Sequence, residues 1–293
     1  MANTHTLKSV LSAGVAAGMI LSTAFAGTET SSDKNTVVQE TQKSAISGDL
    51  GVNFVSQYVS RGVILENQGV IAQPYADLYF ALYQGNGFIN KVSLNLGIWS
   101  SLHSREVAGS TTAAWYEFDW TPGIAVTFAK NFTLTSSYFE FDSPNDSFRE
   151  ARSLNFRLDY NDADLLGAFA LHPHVTYLRE LQGKAGNGTR QGNYYEVGVA
   201  PALPAYGPLT VSFPVTGGFG SSRFYVHNQG FGYLSAGVNA AVALNFIPAA
   251  YGTWTFNTGA TYYRLAGAMS QATSVQPNDH NDWVFNGGIG CAF

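Results

Sequence analysis

The chain has 293 residues, of which 12% are charged and 14% aromatic, with 31 glycines and a formal net charge of −5. Charge this sparse is low for a soluble protein, and an acidic balance argues against a nucleic-acid partner, which would need a basic face. A mean hydropathy of −0.02, with no run of about 18 apolar residues, excludes a helical membrane protein.

In chain order, Lys8 precedes the mostly apolar Val10–Leu21, and Ala24-Phe25-Ala26 offers a small-x-small cleavage site. Residues 1–26 therefore read as a secretory signal peptide cleaved near Ala26. Residues 27–46 are polar and rich in Ser, Thr, Gln and Glu, and read as a disordered periplasmic lead-in. From 47 to 293 the pattern has a period of two, the mark of strands with one apolar face.

Twelve strands are expected there. The first, 48–59, sets Leu50, Val52, Phe54 and Tyr58 on one face; the second, 73–83, sets Ala76, Leu78, Phe80 and Leu82 opposite Asp77. The third, 90–100, alternates Val92, Leu94, Leu96 and Ile98 with Lys91, Ser93, Asn95 and Gly97. The fourth, 114–128, sets Tyr116, Phe118, Trp120 and Ile124 against Glu117, Asp119 and Thr121. Strands at 131–141, 152–160 and 167–179 follow, the last with Phe169, Leu171, Val175 and Tyr177 opposite His172, His174 and Thr176. Those at 193–201, 208–216, 231–245 and 253–264 continue alike. The final strand, 282–293, places Trp283, Phe285, Ile289, Cys291 and Phe293 on one face, with small residues, Asn286 and Val284 on the other. A greasy outside, a small or polar inside and a terminal aromatic look like the closing strand of an outer-membrane barrel.

The connections alternate in length. Short ones are expected near 84–87, 129–130, 161–164, 203–207 and 248–252, and longer ones near 60–72, 101–113, 142–151, 180–192, 217–230 and 266–281. A soluble sandwich gives no reason for such alternation, whereas a membrane barrel has short periplasmic turns and long extracellular loops. The expected fold is all-β: a single antiparallel transmembrane β-barrel of about twelve strands, with both termini in the periplasm. Aromatics near strand ends, namely Tyr58, Trp120, Tyr160, Tyr177, Trp254, Trp283 and Phe293, fit interfacial girdles.

Residues 50–120 resemble the TorF family of porin-like outer-membrane proteins. The resemblance is carried by Ser56-Gln57-Tyr58-Val59-Ser60-Arg61-Gly62, by Gly97-Ile98-Trp99-Ser100-Ser101 and by Glu117-Phe118-Asp119. It implies a porin-like barrel and names no solute.

With the apolar faces outward, Arg61, Asp77, Lys91, Glu117, Asp119, Glu140, Arg157, Asp159 and Glu196 are expected to line the lumen. A pore in which these charges select among solutes competes with a plug in which they satisfy one another. Arg61 stands out, within reach of Glu117 or Asp119. His172 and His174 lack an identifiable third ligand, so no metal is expected, and no cofactor. The segments 142–146 and 279–282 lack the ligand spacing of a calcium loop. His103-Ser104 is an adjacency and does not itself supply a base and an orienting group. The expected function is passive diffusion of small hydrophilic solutes or ions through an outer-membrane channel, with membrane lipid as the other partner and no catalysis. The alternatives are a plugged barrel whose loops bind a partner and, further off, a lipid hydrolase.

Overall fold

The computed structural model describes residues 45–105, 114–267 and 280–293. The expected signal peptide (1–26), nearly all of the polar segment 27–46 and the middles of two long connections lie outside them. Among the described residues the strands are β1 (Ile46–Val55), β2 (Tyr58–Ser60), β3 (Val63–Glu66), β4 (Ile71–Gln84), β5 (Ile89–His103), β6 (Trp115–Phe128), β7 (Phe132–Asp142) and β8 (Ala151–Tyr160). The second half supplies β9 (His174–Gln182), β10 (Asn193–Val199), β11 (Leu209–Ser212), β12 (Val215–Ser221), β13 (Phe231–Ala243), β14 (Thr253–Leu265) and β15 (Asn281–Ala292).

All pairings are antiparallel, and β1 pairs with β4 on one side and with β15 on the other, so the sheet returns on itself. β11 and β12 both pair with β13 and form one stave broken at Phe213–Pro214. Proline has no N–H to give a ladder, which explains the break. With that stave counted once, the wall is a closed twelve-strand antiparallel barrel. β2 and β3 pair with each other and stand apart from the wall.

The alternation places apolar side chains outside. Leu78, Leu96, Ile98, Ile124, Val197, Leu234, Phe256 and Phe285 are large and exposed. Asp77, Asn95, Asp119, Thr176, Glu196, Ser235 and Asn286, at the opposite parity, are buried. This inverts a soluble protein. In water such a belt would far exceed the few hundred Å² of contiguous apolar surface that monomers carry, whereas against hydrocarbon it costs nothing.

Several sequence expectations need correction. The first strand ends at Val55, not 59. Tyr58, expected at the girdle, is fully buried in the lumen, and Tyr116 is buried beside it. Glu140 is on the outer face: it pairs across β6 with Trp120 and across β8 with Arg152, all of outward parity. The seventh strand begins at His174, not 167, because Asp162 gathers the preceding residues into a compact turn. Its carboxylate accepts the backbone N–H groups of Leu171 and His172 at 2.9–3.1 Å. That turn spans 161–173 and contains a short helix, α1 (Ala163–Leu166). The expected alternation of short and long connections therefore fails at this point. What distinguishes the two ends is the course of the chain. At one end lie Ala45 and Phe293 (the terminal end); at the other, connections fold into the barrel (the hairpin end).

Candidate functional site: the lumen and its constriction

After Val55 the chain leaves the wall, turns into the lumen and returns at Ile71. The β2–β3 hairpin turns at Arg61-Gly62, with φ of 49° and 79°. Two successive positive φ angles are what a primed two-residue turn requires. Its base is fastened to β15 by Gln57, whose Nε2 donates to Asp282 Oδ1 at 2.6 Å and to the Trp283 carbonyl at 3.2 Å. Its exit is shaped by Glu66, whose Oε1 accepts the N–H groups of Asn67 and Gln68, both at 2.8 Å.

The tip reaches staves remote from β1 and β4. Tyr225 Oη donates to the Arg61 carbonyl at 2.9 Å. The Arg61 guanidinium lies 5.4 Å from the centroid of Phe141 and 6.0 Å from that of Tyr194. A Cβ on Gly62 would come within 2.6 Å of the Tyr233 ring, so only glycine fits there. The hairpin therefore crosses the lumen.

Two further connections meet it from the far side. Glu180 points inward and accepts three backbone N–H groups, from Ala185 (2.5 Å), Gly186 (2.9 Å) and Gly192 (2.6 Å), which draws the 183–192 loop into the barrel. That loop packs on Phe224, whose carbonyl accepts the Gly188 N–H at 2.8 Å. Phe224 and Tyr225, from the 222–230 connection, are both fully buried. With Val59, Val63, Ile64, Tyr194, Tyr233 and Tyr263 they form an apolar cluster inside the barrel.

Below this cluster the lumen is charged. Tyr58 Oη donates to Glu117 Oε2 at 2.7 Å, and Asp119 lies next on the same face of β6. Among the described residues Arg61 forms no ion pair with either acid within 4.0 Å. On the adjoining wall Arg157 donates to Asp159 at 2.9 Å. Glu196 is nearly inaccessible and receives Tyr194 Oη at 2.6 Å and Tyr233 Oη at 3.3 Å. His174 Nε2 is 3.3 Å from Glu196, and Arg157 Nη1 is 3.8 Å away. Asp77 lies against Gly97, where an added Cβ would come within 2.4 Å of its carboxylate. Lys91 is half-buried nearer the terminal end.

The inward wall thus brings Glu117 with Asp119, and Arg157 with Asp159 and Glu196, and it excludes Glu140. Sequence reasoning gave no site role to Glu180, Tyr194, Tyr225 and Tyr233, and it put Tyr58 on the outer face. Glu180 had a readable signal downstream in Gly183, Gly186, Gly188 and Gly192, a spacing with little side chain to keep a loop out of a packed interior. His172 stands in the turn before β9, apart from the Glu196 contact that His174 makes. His103 Nε2 lies 2.8 Å from Ser101 Oγ and not against Ser104, which instead caps the Val70 N–H. Ser101 is fully buried, and among the described residues the other ring nitrogen of His103 has no hydrogen-bond partner and no third group orients it. Glu140, Asp142 and Glu150 come together at the outer rim, with Arg152 paired to both glutamates.

The chain matches no protein-family model and no curated protein. Among solved structures it is similar to an outer membrane channel from Pseudomonas putida F1, with a TM-score of 0.50, 8% identity, and coverage of 87% of this chain and 97% of that one. The fold is that of an outer-membrane barrel. The NanC porin aligns with a TM-score of 0.44 at 10% identity, covering 83% of this chain and 98% of its own. The transport unit of the autotransporter AIDA-I from Escherichia coli aligns with a TM-score of 0.45 at 11% identity, covering 87% and 92%.

Proposed function

We propose that this chain is an outer-membrane channel of restricted bore, passing small hydrophilic solutes or ions by diffusion. A signal peptide at 1–26 would direct it there, the barrel would begin near residue 47, and the hairpin end would face outward. The observation that carries this reading is the inversion of the wall, apolar outside and charged inside, with a hairpin crossing the inside. A row of acids and bases along the lumen suits a watered passage, since taking charge out of water is costly even when it is paired. The TorF-like run Ser56–Gly62 supplies the first strand and the turn of the hairpin, so part of the resemblance falls on the constriction. No bond-making step is assigned to the chain.

Single-channel current across a planar bilayer tests this. The refolded barrel is expected to give a small, steady, ion-selective conductance. Replacement of residues 59–65 by a short Gly-Ser linker is expected to raise that conductance several-fold. Silence from both proteins, with each shown to be folded, would overturn the channel. It would favour the second reading, a plugged barrel that acts through its outer loops. The buried aromatic cluster around Phe224 and Tyr225 is the observation on that side.

A further inference from the structure

Two hairpins carry the same outward constellation near the hairpin end. On β9 and β10, Tyr177 is opposite Tyr195 and, two residues on, Arg179 is opposite Asn193. On β14 and β15, Tyr262 is opposite Trp283 and, two residues on, Arg264 is opposite Asn281. The contacts repeat too. Tyr177 Oη donates to Asn193 Oδ1 at 3.1 Å and Arg179 Nη1 to the same oxygen at 3.0 Å. Tyr262 Oη donates to Asn281 Oδ1, which also accepts Arg264 Nη1 at 2.8 Å. The ring pairs sit at 5.4 Å and 5.3 Å between centroids.

Both arginines are exposed on the outer face, and neither has a carboxylate within ion-pair distance among the described residues. Arg152, another outward strand arginine at this rim, differs. It is held by Glu140 at 2.8 Å and by Glu150, so its charge is neutralised within the protein. The neutral asparagine in each repeated cluster orients the guanidinium beside the phenol without cancelling its charge. Nη1 makes that contact, and each arginine is exposed.

An arginine on the lipid face is costly at mid-membrane and tolerated at the interface, where Tyr and Trp also collect. An oriented, uncompensated guanidinium there matches the oxygens of a phosphate, which it binds as a planar fork. We propose that each cluster holds the phosphate of an anionic lipid headgroup in the leaflet at the hairpin end, giving two lipid sites on one barrel. This rests on the membrane-embedded reading above.

The test uses the full refolded barrel in vesicles of phosphatidylcholine with a minor fraction of phosphatidylglycerol, extracted gently and weighed by native mass spectrometry. Up to two phosphatidylglycerol molecules are expected to remain bound and no phosphatidylcholine. Arg179→Gln and Arg264→Gln should each remove one, the double variant both, while Arg179→Lys restores part of the loss and Arg152→Gln leaves both in place. Equal retention of the two lipids, or undiminished retention in the double variant, would overturn the proposal. If millimolar inorganic phosphate displaces phosphatidylglycerol completely, the site is one for a free anion and the lipid assignment falls. Folding is followed separately by the heat-dependent shift in gel mobility. A barrel that inserts without lipid preference sinks only this proposal, whereas failure to insert sinks the membrane reading as well.

Discussion

Gly62 is the residue on which the constriction turns. Its φ of 79° and its closeness to the Tyr233 ring leave no room for a side chain. Gly62→Val should push the tip off the far wall and raise single-channel conductance while the heat-shifted gel mobility of the folded barrel persists. An unchanged conductance would mean that the hairpin does not set the bore. Asp162 works at the opposite end, outside the membrane-spanning strands. Burial pushes its carboxyl up, but the N–H groups of Leu171 and His172 outweigh that and hold it below its usual range. A depressed value contributes stability above the unfolded-state pKa, near 4, and loses it as pH falls through the folded value. Asp162→Ala should therefore cost roughly 1–3 kcal/mol near neutrality, since it leaves two N–H groups without their acceptor. The gap between variant and wild-type melting temperatures should close below about pH 4; a pH-independent gap would contradict it.

At the level of elements, the wall was legible and its contents were not. Strands such as β5 and β15 alternate cleanly because lipid on one side and a polar lumen on the other impose a period of two. The β2–β3 hairpin was hidden because both of its faces are buried, and Tyr58 continued the apolar parity of Leu50, Val52 and Phe54 past the point where the strand ends. Glu140 misled for a related reason. A charge was read as inward, but at the rim Trp120 Nε1 donates to it at 2.9 Å and Arg152 pairs with it, so an outward carboxylate is satisfied. The long turn at 161–173 escaped because Phe169 and Leu171 happen to extend the parity of Val175, while the deciding contact comes from Asp162, outside the strand.

Across the whole molecule, the lumen positions Asp77, Glu117, Asp119, Asp159 and Glu196 outnumber Arg61, Lys91 and Arg157. For the proposed channel a mild cation preference is expected, read as the sign of the reversal potential in a salt gradient. Glu117→Lys combined with Asp119→Lys should move that potential toward anions; an unmoved value would mean that ions do not pass the β6 wall. The closed ring also has a temporal meaning. Gln57 and Asp282 meet across 225 positions of sequence, and the hairpin between them touches Tyr225 and Tyr233, which are synthesised long after it. The β1–β15 seam thus joins the two ends of the chain, and contacts this distant in sequence are slow to form. The same few residues that close the wall also moor the segment that fills it.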